Sequence, residues 1–140
     1  MRTISFVVQG EPVAKGRPRF SRRGSFIHTY TPEKTKDYET LVQQNYTEQC
    51  NGEYAGGSPL IINIDAYFPI PKSVSKIRRQ RMISNEIMKT TKPDFDNVGK
   101  SICDALNGLA WKDDSQIVEA TIRKFYSDAP HTVVTITVLE

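Results

Sequence analysis

The 140 residues contain little of what staples or anchors a chain. There are two cysteines, Cys50 and Cys103, and two histidines, His28 and His131, scattered too widely for any zinc-ligand spacing. The longest apolar runs, Ile4–Val8 and Leu60–Ile64, are interrupted by Ser5 and Asn63. A membrane span needs about 20 apolar residues, so no membrane partner is expected. Residues 1–8 are too short an apolar stretch for an export signal, which predicts a cytoplasmic protein with both cysteines as thiols. No repeat, low-complexity tract or organic-cofactor fingerprint is present. What remains is an ordinary soluble mix, 38% hydrophobic and 25% charged, of a length expected to form a single domain over 1–140.

The net charge of +3 hides a strong segregation. Residues 1–30 carry Arg2, Lys15, Arg17, Arg19, Arg22 and Arg23 against Glu11 alone. Residues 72–92 carry Lys72, Lys76, Arg78, Arg79, Arg81, Lys89 and Lys92 against Glu86. Residues 94–119 reverse the sign, with Asp94, Asp96, Asp104, Asp113, Asp114 and Glu119 against Lys100 and Lys112. A charge run is often just a solvated face. Two basic segments with one acidic segment also suit a protein that cuts nucleic acid, since phosphates call for cations and metal ions for carboxylates.

Thr3–Val8 reads as a strand, broken by Gln9-Gly10-Glu11-Pro12. Arg17–Phe20 and Ser25–Tyr30 flank Ser21-Arg22-Arg23-Gly24, read as a hairpin turn with an arginine-rich tip. Thr31-Pro32-Glu33 predicts a helix start with Thr31 as cap. Tyr38, Leu41, Val42 and Tyr46 carry that helix to about Cys50, where Asn51-Gly52 ends it. Leu60–Phe68 alternates as a half-buried strand. Ser73–Ser84 is basic, with Val74, Ile77 and Met82 as a thin seam, and reads either as a helix or as an extended arm. Asp96–Leu106 is the clearest helix. Val98, Ile102, Ala105 and Leu106 share one sector, and Asp96, Lys100 and Asp104 stack at i, i+4, i+8 on the other. Gly99 inside it costs about 1 kcal/mol relative to Ala, which suggests close backbone packing. Ile117–Tyr126 and Thr132–Leu139 are strands, the last one expected inside the sheet. The fold class is α+β, with one mixed β-sheet and two main helices packed on it.

Two acidic pairs flank the clearest helix, Asp94-x-Asp96 before it and Asp113-Asp114 after it. Helix capping accounts for one of the first pair, and a polar turn accounts for the second. Neither accounts for all four. Carboxylates 4 Å apart repel by about 4 kcal/mol each pair at an effective dielectric of 20. Three such pairs approach the whole stability of a small domain, about 5–15 kcal/mol. Convergence of three would therefore demand a cation, and hard oxygens suit Mg²⁺ or Mn²⁺. Lys100, one turn past Asp96, is either a plain i, i+4 ion-pair partner or an ammonium placed beside a reacting phosphate.

Lys92-Pro93-Asp94-x-Asp96-Asn97-x-x-Lys100, Asp104-Ala105-Leu106-Asn107-Gly108 and Trp111-x-Asp113-Asp114-x-Gln116 together resemble the RusA family of Holliday junction resolvases. Gly10-x-Pro12-x-x-Lys15-Gly16-Arg17-Pro18-Arg19 and Tyr30-Thr31-Pro32 resemble its phage and prophage branch. The resemblance implies a homodimeric, Mg²⁺-dependent endonuclease that nicks four-way DNA junctions symmetrically in recombination and repair. It implies Asp94, Asp96 and Asp114 as catalytic metal-binding carboxylates, Lys100 as the catalytic lysine, and Asp113 as a further metal-site carboxylate, ranked below Asp114, that tunes the site or binds water. Lys15, Arg17, Arg19, Arg22, Arg23 and Lys92 are then expected on backbone phosphates. Asp104 is expected in ion pairs along the helix, and Trp111 in the core. Other metal-dependent DNA nucleases, an RNA-processing nuclease of similar chemistry and a non-catalytic junction-binding module remain as alternatives.

Overall fold

The computed structural model describes residues 1–16, 19–24, 26–30 and 32–140, with backbone alone for the strands at 19–23 and 26–30. The elements run β1 (Arg2–Gln9), β2 (Arg19–Arg23), β3 (Phe26–Tyr30), α1 (Glu33–Cys50), β4 (Leu60–Pro69), α2 (Lys76–Ile83), α3 (Phe95–Leu106), β5 (Ile117–Ser127) and β6 (His131–Val138). Four strands form one sheet in the order β1-β6-β4-β5. β4 pairs with β5 in parallel, and β6 lies antiparallel to both β1 and β4. The sheet is therefore mixed and the Val/Ile/Thr-rich last strand is interior, as its composition predicted. β2 and β3 pair only with each other.

One face of the sheet makes the core. Leu60, Ile62, Ile64, Ala66 and Phe68 of β4 all point to it, beside Ile4, Phe6 and Val8 of β1 and Val134, Ile136 and Val138 of β6. The period-2 alternation in the sequence is thus one buried face of a two-sided sheet. α1 covers it with Tyr38, Val42, Tyr46 and Cys50, a strict i+4 row. Leu41 was expected on that row but stays exposed, because it lies about a quarter turn away. The Tyr38 and Thr132 hydroxyls, both buried, satisfy each other at 2.9 Å. On the opposite face Tyr67 stacks between Phe125 and His131, with ring centroids 4.9 and 4.3 Å away.

Three local readings change. The register pairs Arg23 with Phe26, so Ser21, Arg22 and Arg23 belong to the strand and the turn begins at Gly24. Gly24 supplies the positive φ (59°) that so tight a turn needs. At α1 the capping position falls on Pro32, with no side-chain cap, and Thr31 lies outside the described residues. The basic stretch resolves in favour of the helix: Ser75 Oγ accepts from the Arg78 N–H to start α2. Met82 docks α2 against Ile70 and Tyr126 in a small second core. One apolar anchor suffices for two turns of helix once it has a sheet end to pack on.

α3 packs as its wheel predicts, with Val98, Ile102, Ala105 and Leu106 buried. Gly99 is buried as well, and a methyl there would run into Ile122 Cδ1 of β5. The glycine leaves room for the end of the Ile122 side chain between α3 and β5.

Candidate active site

α3 is the axis of the site. Asp94 takes its N-cap position, exposed and with no side-chain hydrogen bond to the first turn. Capping, the simpler account of this residue, is thus not what it does. Asp96 follows in the first turn, exposed, where the helix dipole favours a negative charge. Lys124 of β5 holds the irregular segment leading into Asp94: its Nζ donates to the Thr91 and Pro93 carbonyls, each at 2.8 Å. This role is invisible in the sequence, where Lys124 is one more charge on a strand.

One turn on, Lys100 Nζ lies 3.5 Å from Asp104 Oδ1. The other oxygen of Asp104 takes Lys15 Nζ at 3.0 Å, and Lys15 also reaches Glu39 of α1 at 2.7 Å. Asp104 does make the ion pairs expected of it, but with two lysines. Lys15 was expected on DNA phosphates. Its side chain is only 17% exposed and its charge is already matched by two carboxylates, whereas Lys100 is 58% exposed and keeps donors free. Those two partners, although burial opposes them, leave the Lys15 pKa above the ordinary lysine value. The Lys15 N–H also donates to the Asn97 carbonyl at 2.8 Å, so the N-terminal loop is fastened across the first turns of α3.

Asp114 comes from the turn between α3 and β5. Trp111, fully buried, donates its indole N–H to Asp114 Oδ1 at 2.8 Å. Trp111 is core as expected, and it also aims a candidate catalytic carboxylate. Burial raises the Asp114 pKa; the Trp111 bond opposes this, the Asp104 and Asp113 charges add to it, and Lys100 offsets part. The Cys103 thiol beside it is pushed up to about 12 by burial and then by Asp114 and Asp104. Asp114, Asp104 and Lys100 therefore share one electrostatic neighbourhood at the far half of α3. Asp113 closes the turn itself. Its carboxylate caps the Ser115 N–H at 3.0 Å while Gln116 Oε1 accepts from the Asp113 N–H at 2.7 Å. The accepted bond holds its pKa below the usual carboxylate range.

Among the described residues no three His, Cys, Asp or Glu side chains are gathered closely enough to hold a metal ion. Asp94 and Asp96 stand at one end of α3, and Asp114 lies beside Lys100 and Asp104. The donor chemistry nonetheless fits a hard divalent cation. Every candidate is a carboxylate, Asp94 is uncommitted to the helix cap, and Asp114 is held where its negative charge is disfavoured.

Asp94 also borders a cleft of about 840 Å³. The N-terminal loop and the start of α1 form one wall, with the 89–94 segment opposite. Lys34, Lys89 and Lys92 line it. Lys92 was expected near the backbone of a nucleic acid, whereas Lys34 and Lys89 carried no motif and only the fold reveals them. Of the remaining expected phosphate contacts, Arg17 lies outside the described residues, and Arg19, Arg22 and Arg23 lie on β2, described by backbone alone. The hairpin they belong to leaves and re-enters the fold between Gly16 and Pro32, both on the wall of this cleft.

Carboxylates, an exposed lysine one turn away and a lysine-lined cleft are the residue types that phosphodiester cleavage calls for. The family model described as Endodeoxyribonuclease RusA matches residues 9–137. The chain belongs to the RusA endodeoxyribonuclease family. It is also 41% identical over 138 residues to YqaN of Bacillus subtilis (strain 168), a protein described as uncharacterized, covering 97% of this chain and 96% of that one. No helix among the described residues is long and apolar enough to cross a membrane.

Proposed function

We propose that this RusA-family chain is a structure-selective endonuclease that resolves four-way DNA junctions by paired nicks, acting as a homodimer. The observation that carries the reading is α3, which starts with Asp94 on a lysine-lined cleft, carries Asp96 exposed in its first turn and has Lys100 one turn further on, in the electrostatic neighbourhood of Asp114. Asp94, Asp96 and Asp114 are the carboxylates that would hold Mg²⁺, with Mn²⁺ as a substitute. A divalent ion bound there supplies charge neutralisation at the scissile phosphate and a more acidic water.

The chain's own residues do the rest. Lys100, exposed and partly neutralised by Asp104, directs its ammonium to the charge that develops on the phosphate. Lys15 and Glu39 fix Asp104 from the buried side, so Lys100 is oriented by a carboxylate that cannot swing away. Trp111 fixes Asp114 in the same manner. Asp113 acts on the site through the turn it caps. Lys92, with Arg17, Arg19, Arg22 and Arg23 of the hairpin region, supplies phosphate contacts. A domain of this length has a radius of gyration of about 14 Å and carries one such site, so two symmetric cuts need two copies.

The test compares a mobile four-way junction with linear duplex, flap and RNA-substituted substrates in Mg²⁺, Ca²⁺ and EDTA. Paired nicks in the junction with Mg²⁺, and binding without cutting in Ca²⁺, are expected. Asp94→Asn should abolish nicking while junction binding persists. Equal nicking by this variant and the wild type would remove the catalytic assignment, and equal cutting of linear duplex would remove the junction preference.

A further inference from the structure

Lys89 is a half-buried cation in the wall of the cleft that Asp94 borders. Its Nζ sits 4.9 Å from the centre of the Phe68 ring and 5.5 Å from that of Tyr126, and it donates to Thr91 Oγ1 at 3.0 Å. The rings and the hydroxyl return part of its lost hydration. No ion pair among the described residues includes it. The charges that face it are unfavourable on balance: burial and then Lys124 hold its pKa below the ordinary lysine value, and Glu11 across the cleft acts the other way. Lys34 and Lys92 line the same space. A desolvated ammonium beside like charge is costly unless an anion completes it. Lys15, also in this cleft, makes the contrast, because the protein itself supplies Lys15 with two carboxylates.

We propose that Lys89 binds a backbone phosphate of the DNA strand next to the phosphate being cut, with Lys34 and Lys92 closing on the same strand from the walls of the cleft. The inference rests on the nuclease reading and adds to it the subsite that grips the substrate beside Asp94. The aromatic floor fixes where the ammonium stands, so the contact sets the register of the strand as well as its affinity.

The experiment measures binding of an uncut four-way junction in Ca²⁺ across a salt series, and steady-state cleavage in Mg²⁺. Wild type is compared with Lys89→Met, Lys89→Arg and Lys112→Met, the last removing an exposed charge outside the cleft. Lys89→Met keeps an apolar stem on Phe68 and Tyr126, and Lys89→Gln provides a second uncharged variant should Met disturb the fold. Lys89→Met should weaken binding by about tenfold. It should also lower the slope of log affinity against log salt by about one. KM should rise more than kcat falls. Lys89→Arg should restore the slope, and Lys112→Met should leave it unchanged. A junction-cutting wild type with Lys89→Met and Lys89→Gln at the same affinity and slope would overturn this inference and leave the nuclease reading standing. A wild type that neither binds nor cuts the junction would sink both.

Discussion

At the start of α3, Asp94 and Asp96 are exposed, and Asp94 accepts no bond from the helix it precedes. At its far half, Asp104 and Asp114 are half-buried and held by Lys15, Lys100 and Trp111. The four carboxylates are chemically equal, yet the two regions differ in what the protein has invested. The far half is pre-organised by the fold. The near end is left open to a cleft lined by Lys34, Lys89 and Lys92. A site built this way keeps half of its geometry rigid and leaves the other half for the ligand to complete.

The sharpest break of this comparison sets Asp96→Asn beside Asp114→Asn. Both should cut junctions more slowly by a factor on the order of 10²–10³. Their stabilities should move in opposite directions. Asp96→Asn loses a helix-dipole interaction of about 0.3–1 kcal/mol. Asp114 has a folded-state pKa raised above its unfolded value, so its contribution is fully present below the unfolded pKa and is lost as pH rises through the folded one. Asp114→Asn, which still accepts from Trp111, should therefore melt higher than wild type at pH 7 in EDTA. That gain should vanish toward pH 3. Thermal melts across this range decide the matter, and a lower melting point for Asp114→Asn at pH 7 would contradict the unfavourable burial of the Asp114 charge.

A second, smaller effect comes from Lys15→Met. It leaves Glu39 and Asp104 facing each other without the ammonium between them, at a cost of about 1–3 kcal/mol in denaturant unfolding. Cleavage should fall several-fold through the loosened Lys100, while junction affinity changes little, since Lys15 is already paired. A large loss of affinity would return Lys15 to the phosphate contacts. The smallest effect is expected from Trp111→Phe, which removes the bond to Asp114 and part of the packing, about 1–2 kcal/mol. Its cleavage loss should be well below that of Asp114→Asn. Comparable losses would show that Asp114 is useless unless aimed.

Much of this was legible from local pattern. The alternation of Leu60–Phe68, the apolar sector of α3 and the β-branched density of the last strand each specify a buried face directly. The spacing of Asp96, Lys100 and Asp104 also specifies a shared helix edge, and the ion pair between the last two follows from it. The differences arise where a weak pattern meets a tertiary partner. Ser73–Ser84 has too thin a seam to specify a helix alone, and Tyr126 at the end of β5 supplies what it lacks. The hairpin turn shifted because strand register, not residue type, chose the paired positions.

The sequence alone determined which residues are candidates for the chemistry, because carboxylate pairs around a helix with a lysine one turn in are a pattern set by covalent spacing and helical period. Only the tertiary structure decided which charges are spent inside the protein and which are left over. Lys15 and Lys89 are both lysines of basic segments, and the fold gives one of them two carboxylates and the other two aromatic rings and a neighbouring lysine. Whether a charge is available depends on what lies within a few ångströms of it, and those neighbours come from residues distant in sequence.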